Sequence, residues 1–294
     1  VYKRQDYVSV KKGKRITPAE QQIIDNLSRA GYRTKGFCRT NLYKRLESCG
    51  SSFILSISRL ILRNYIVEYA VNNKLPIPIG GNDYSVGFDA SEELYSDREE
   101  DIDIIDINAL SGKEIFKKRA EDIYKEMSTK YSKRFQWMRP ELFNLQQLSE
   151  DLNYDNDKLL RVIDKVPQWD PSLDRKLNAL YEILQNKHKK DKVLIFTQYS
   201  DTARYIYNEL GKRGVVQIGL ATGDSTDVSD LVRKFSPRSN SAEIDKKDEL
   251  RILISTDVLS EGQNLQDAHI ILNFDLPWAL IRLIQRAGRV DRLG

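Results

Sequence analysis

Five side chains near the end of the chain have the type and spacing to hold an anion. Arg282, Gln285, Arg286 and Arg289 recur at i, i+3, i+4 and i+7, the period of one helix face, and Arg292 follows close to one turn later. Guanidinium groups brought this close repel one another unless an anion sits among them, and their planar fork matches phosphate oxygens in a way a lysine ammonium does not. Leu280, Leu283, Ile284 and Ala287 fall on the opposite face, so the helix is expected to bury an apolar side and present a cationic one. Gly288 inside such a helix costs about 1 kcal/mol relative to alanine, which suggests a need for close backbone approach. A solvated basic helix is the alternative.

The elements that must position these groups follow a regular rhythm. From residue 192 onward, short β-branched runs over 193–196, 215–219, 251–255 and 269–274 alternate with amphipathic stretches over 200–210, 225–235 and 278–289. This is the pattern of a parallel α/β sheet. Ala203, Ile206, Tyr207 and Leu210 form one core stripe, and Val228, Leu231, Val232 and Phe235 form another. In open α/β sheets ligands bind beyond the carboxyl ends of the strands. There the chain places Thr197 with Gln198 and Tyr199, Thr222 with Gly223, Ser255 with Thr256 and Asp257, and Asn273 with Phe274 and Asp275. Hydroxyls, a glycine and nearby helix N-termini hold phosphates without reading bases. Each of these residues could instead cap the helix that follows it; their combination points to an edge made for a polyanion. Residues 236–249 are polar, contain Pro237, and read as a surface loop.

The upstream half differs. Phe53, Ile54, Ile57, Leu60 and Ile61 recur at helical spacing within 40–74, and 113–138 and 143–166 read as two further helices. Between them, 75–87 carries Pro76, Pro78, Gly80, Gly81 and Gly87, and 89–106 is strongly acidic, so this stretch reads as a loop, solvated or partner-binding. The chain thus divides into a mostly α-helical region over 1–166, with an acidic loop near 76–108, and an α/β region over 167–294.

Composition bounds the class. Apolar residues make up 40% and charged residues 31% of 294 residues, and the longest apolar run, 53–71, is interrupted by Arg59, Arg63 and Glu68, so neither a membrane span nor a secretion signal is expected. Cys38 and Cys49 with two histidines leave little for a metal site or a disulfide framework, which fits a reducing cytoplasm. The net charge of +4 is compatible with a polyanionic partner and too small to demand one.

Against this background, Ser255-Thr-Asp-Val-Leu-Ser-Glu-Gly-Gln-Asn-Leu265 resembles the fifth motif, and Gln285-Arg-Ala-Gly-Arg-Val-Asp-Arg292 the sixth, of superfamily 2 helicases and Swi/Snf-type translocases. Lys192-Val-Leu-Ile-Phe-Thr-Gln-Tyr199 resembles the fourth. Upstream, Tyr43-Lys-Arg-Leu-Glu-Ser48 and Trp169-Asp-Pro-Ser-Leu-Asp-Arg-Lys176 are similar to segments preceding the second lobe in RapA-like Swi/Snf proteins. The resemblance implies a RecA-like parallel sheet flanked by helices, preceded by a helical inter-lobe insertion. It implies that Arg289 and Arg292 are arginine fingers reaching the γ-phosphate of ATP. It also implies that Gln285, Asn264 and Gly262 lie at the nucleotide, and that Thr256 and Thr222, with Gly223 and Thr197 on the same edge, meet the nucleic-acid backbone. Glu261 stands where many RNA helicases carry arginine, which favours double-stranded DNA over RNA.

A complete motor of this kind also needs a Walker A loop and an acidic metal-binding motif. The Gly-Lys pairs beginning at Gly13, Gly112 and Gly211 are followed by Arg15, Glu114 and Arg213 where serine or threonine is required, so none can be a phosphate loop; Asp103-Ile-Ile-Asp106 reads as part of the acidic insertion. The chain is therefore expected to be a fragment, inactive alone, with ATP and magnesium held mainly by a first RecA-like lobe outside it. The function implied is the second motor lobe of an ATP-dependent double-stranded DNA translocase or remodelling ATPase. The alternatives are a strand-separating helicase or defence-system motor, and a non-catalytic nucleic-acid-binding module.

Overall fold

The computed structural model describes residues 16–81, 112–165, 169–259, 264–277 and 279–290, and of 26–38, 80 and 81 the backbone alone. The acidic stretch 89–106 lies outside the described residues, as do Gly262 and Arg292. The described residues form two compact units, one built from 16–44, 53–81 and 112–165, the other from 45–52 and 169–290.

In the first unit, helix α1 (Pro18–Ser48) opens with a reciprocal cap: the Glu20 amide donates to Thr17 Oγ1 at 3.2 Å and the Thr17 amide to Glu20 Oε2 at 2.9 Å, with proline at the first helical position. The Arg139 guanidinium, 2.6 Å from Glu20, and then the Thr17 amide hold the Glu20 carboxyl down to about 2. Helices α2 (Gly50–Asn72), α3 (Lys113–Thr129) and α4 (Leu145–Lys165) bury Ile57, Ile61 and Ile66, Phe116 and Ala120, and Leu148 and Leu152 in one core.

Two expectations need correction here. Strand β1 (Ile77–Gly81) pairs antiparallel with β2 (Phe135–Met138), so 75–87 is not all loop and the helix expected over 113–138 stops at Thr129. Tertiary burial overrides the local signals: Ile77 and Met138 face each other and are both buried, and the Trp137 ring meets Tyr124 edge-on at 5.8 Å. The register slips between Pro78 and Gly80, and Pro78, which has no N–H to donate, is tolerated in so short a ribbon.

The second unit contains the α/β sheet. Helix α5 (Arg175–Glu182) leads into β3 (Val193–Phe196), α6 (Ser200–Lys212), β4 (Ile218–Ala221), α7 (Val228–Phe235), β5 (Ile252–Ser255), β6 (Ile270–Asn273) and α8 (Leu280–Ala287). All pairings are parallel and the order is β4-β5-β3-β6, a RecA-like sheet with helices on its faces. The two inner strands, β3 and β5, are buried along their whole length, as their unbroken apolar runs require. Alternation sorts them: Val193, Ile195, Ile252 and Ile254 pack with Leu177, Leu180, Ile206 and Leu210, whereas Leu194, Phe196 and Leu253 pack with Val232 and Phe235.

Strand β4 starts at Ile218, not at residue 215, because Gln217 takes a φ of 56° and breaks the extended run before it. The Asp227 carboxylate accepts from the Asp230 amide at 2.8 Å and sets the start of α7 at Val228, three residues later than expected. Among the described residues no helix is long and apolar enough to cross a membrane.

Candidate phosphate-binding edge

Strand register decides which side chains meet at the carboxyl edge. Ala221, Ser255 and Phe196 are aligned neighbours across β4, β5 and β3, so Thr222, Thr256 and Thr197 each stand one residue beyond the same row. The Thr256 amide donates to the Ala221 carbonyl at 3.1 Å, and the Thr197 amide to that of Ser255 at 3.0 Å. The three threonines are buried, at 5% exposure or less, whereas Gly223 is exposed.

The hydroxyls of Thr197 and Thr222 and the amide of Gln198 are already engaged. Thr197 Oγ1 donates to Asp275 Oδ2 at 2.5 Å, and the Gln198 amide to Asp275 Oδ1 at 2.8 Å. Thr222 Oγ1 donates to Asp224, whose carboxylate also accepts from Arg204. Burial pushes the Asp224 carboxyl up, but those two donors outweigh it and leave it below its ordinary value. Asn264 donates to the Ser239 carbonyl at 2.8 Å, and Asp267 accepts from the amides of Arg238 and Ser239, both at 2.9 Å, so the 236–249 loop is pinned at its start.

The helix α8 is turned opposite to expectation. Leu280, Ile281 and Ile284 are 75%, 59% and 67% exposed, whereas Arg286 is completely buried. The reason lies at the ends of β5 and β6. Arg286 Nε donates to Asp257 Oδ1 at 2.7 Å, Nη1 donates to Asn273 Oδ1 at 2.7 Å, and the guanidinium lies over the Phe196 ring at 5.0 Å. Arg282 Nη1 reaches the other Asp257 oxygen at 3.3 Å. The anion among the clustered arginines is, for these two, the chain's own Asp257. Burying one guanidinium with its carboxylate and amide partners fixes the rotation of the helix, and the apolar residues follow.

Gly288 is the C-cap of α8, with φ −63°, so the helix-interior penalty does not apply, and the nearest atom to an added Cβ is the Ile284 carbonyl oxygen at 3.4 Å. Gln285 is exposed. Arg289 has no carboxylate partner among the described residues, and its Nε is buried without a hydrogen bond.

Asp257→Ala is expected to destabilise the fold by about 3–5 kcal/mol, because it strands a buried guanidinium. Asp257→Ala combined with Arg286→Met should recover much of that loss in chemical denaturation, and a double variant as unstable as the single one would refute the account.

Sequence reading missed a second set of residues. Ser48 Oγ donates to Asp275 Oδ2 at 2.6 Å and lies 3.0 Å from Thr202 Oγ1, and Ser52 Oγ lies 2.8 Å from the same Thr202 oxygen. Arg45 bridges to Asp201 at 2.8 Å. Lys176 Nζ donates to the Glu47 and Ser48 carbonyls at 3.1 and 3.0 Å, at the end of α1, and burial pulls its ammonium below the ordinary lysine range. A Cβ on Gly50 would lie 2.3 Å from the Trp169 ring. The segments 45–50 and 169–176, more than 100 residues apart, therefore meet within one unit, and Ser48 shares the carboxylate that holds Thr197. The only trace in the sequence is their common resemblance to segments that precede the second lobe.

Residues 175–294 match the family described as the helicase conserved C-terminal domain. An uncharacterized ATP-dependent helicase of Bacillus subtilis, YqhH, is 32% identical over 140 residues, covering 48% of this chain and 23% of the relative. The ATP-dependent RNA helicase DBP3 of Gibberella zeae is 28% identical over 120 residues, covering 41% of this chain and 19% of the relative. The chain thus spans less than a quarter of the length of either. A crystal structure of the C-terminal part of the Fun30 ATPase domain aligns with 82% of this chain and 77% of its own at 16% identity, with a TM-score of 0.35. The threonine row and the Asp257–Arg286 lock both lie within the residues, 175–294, that match this family.

Proposed function

We propose that this chain supplies the second motor lobe, 167–294, and the helical inter-lobe region, 1–166, of an ATP-dependent double-stranded DNA translocase of the Swi/Snf kind, RapA-like in its upstream segments. The observation that carries the reading is the state of Arg289. Arg282 and Arg286 are both paired with Asp257, whereas Arg289 has no carboxylate partner among the described residues; its Nε, like Arg286 Nη2, is buried without a hydrogen bond. A donor left in that state suits an anion supplied from outside the chain.

In this reading Arg289, together with Arg292, approaches the γ-phosphate of ATP. Gln285, Asn264 and Gly262 belong to the nucleotide side. The exposed Gly223, with Thr222, Thr256 and Thr197 along the same row, belongs to the nucleic-acid backbone. The arginines stabilise charge that develops on the transferring phosphoryl group, and they need no proton transfer to do so. Magnesium, which binds through one or two carboxylates together with the phosphates it bridges, is assigned with most of the ATP to a first lobe. The protein works in the cytoplasm, and this chain is an inactive half of its engine.

A second reading, a strand-separating helicase, draws on relatives such as DBP3 whose names describe RNA helicases. A non-catalytic binding module has no use for an unpaired Arg289. The test is ATP turnover and strand displacement by the full-length protein. Stimulation by duplex DNA without strand separation is expected; displacement of a strand, or stimulation by RNA alone, would favour the second reading.

A further inference from the structure

Beside Thr222 and Gly223 stands a side chain not yet given a role. Arg204, on α6, donates from Nη2 to Asp224 Oδ2, and the other oxygen of that carboxylate accepts from Thr222 Oγ1. One carboxylate therefore bridges a threonine hydroxyl and a guanidinium next to an exposed glycine. That is the donor set a phosphodiester takes, since phosphate contacts come from hydroxyls, backbone amides and arginine forks.

Charge and exposure bear on what the carboxylate does there. Asp201 lies 4.0 Å from Arg204 Nη1 and 2.8 Å from Arg45, so two arginines and two aspartates neutralise one another along this edge. Asp201 is 10% exposed and fixed, whereas the Asp224 side chain is 46% exposed and the Arg204 side chain 33%. An ion pair as open as Arg204–Asp224 is weak, so an incoming anion can replace its acid partner while Asp201 keeps the guanidinium aimed at the edge. Moving Asp224 aside releases the Thr222 hydroxyl and the Arg204 fork together.

We infer that Arg204 is a nucleic-acid backbone contact and that Asp224 occupies the place of a backbone phosphate until nucleic acid displaces it. The inference rests on the reading of Thr222 and Gly223 as backbone contacts. It makes Asp224 a brake on affinity: the unliganded edge is electrically closed, and binding must open it. The ligand chemistry is the phosphodiester itself, which DNA and RNA share.

The test is fluorescence anisotropy of the full-length protein with labelled DNA and RNA duplexes of about 20 base pairs across a salt series. On whichever duplex binds, Asp224→Asn should tighten binding about two- to fivefold. Arg204→Ala should weaken it and lower the salt slope by about one, and Arg204→Lys should restore the slope but not the full affinity. If Asp224→Asn leaves affinity unchanged or lowers it while Thr222→Ala weakens binding, the inference fails and the backbone-contact reading stands. If Thr222→Ala also leaves affinity unchanged, both fall.

Discussion

In the full-length protein, Arg289→Ala lowers nucleic-acid-stimulated ATP turnover by about 10³- to 10⁵-fold, the range over which an arginine finger stabilises a transferring phosphoryl group. Nucleic-acid affinity should change far less, because the threonine row and Gly223 lie at the ends of β4, β5 and β3 and do not involve Arg289. Arg289→Lys should recover little turnover, since an ammonium keeps the charge but loses the fork. The neighbouring arginines supply the control. Arg286 is completely buried against Asp257 and Asn273, so its truncation should appear first as lost stability. Turnover and binding that fall equally in Arg289→Ala would remove the finger assignment.

The 294-residue chain alone should hydrolyse ATP no faster than buffer, with or without DNA. Phosphoryl transfer needs the β- and γ-phosphates cradled by backbone amides and a lysine, with a metal bridging them. None of the Gly-Lys pairs in this sequence is followed by serine or threonine. In the proposed reading, Arg289 and Arg292 act on a phosphate that another lobe presents. A malachite-green assay of the isolated chain measures this directly, and DNA-stimulated release of phosphate above background would overturn it. Adding back a separately prepared first lobe should restore turnover if the missing groups are all that is lacking.

Much of the second unit was legible in its residues. The unbroken apolar runs of β3 and β5 marked inner strands, the stripes of α6 and α7 marked their core faces, and the residues just past each strand marked the edge. These are local periodicities, set by the pleat of a strand and the pitch of a helix, so the sequence alone carries them. The β1–β2 ribbon was not legible. Pro76, Pro78, Gly80 and Gly81 resemble a loop, and only burial of Ile77 against Met138, about 60 residues away, makes a strand of them.

The orientation of α8 shows the boundary most clearly. Its residues alone describe an amphipathic helix with arginines outside, and periodicity holds the two faces apart without saying which is buried. The order β4-β5-β3-β6 brings Asp257 and Asn273 under that helix, and a buried guanidinium with two partners outweighs the exposure of Leu280, Ile281 and Ile284. The same holds for Ser48, which reaches Asp275 across 227 positions of sequence, and for Arg204 and Asp224, whose pairing depends on α6 and the end of β4 lying side by side. The sequence by itself determined the periodicities of the strands and helices and the residue types that stand just past the strand ends. Which are neutralised, which are buried and which remain open to a ligand was decided only by the tertiary structure, because hydrogen bonds and ion pairs form between groups that only the folded sheet brings within reach.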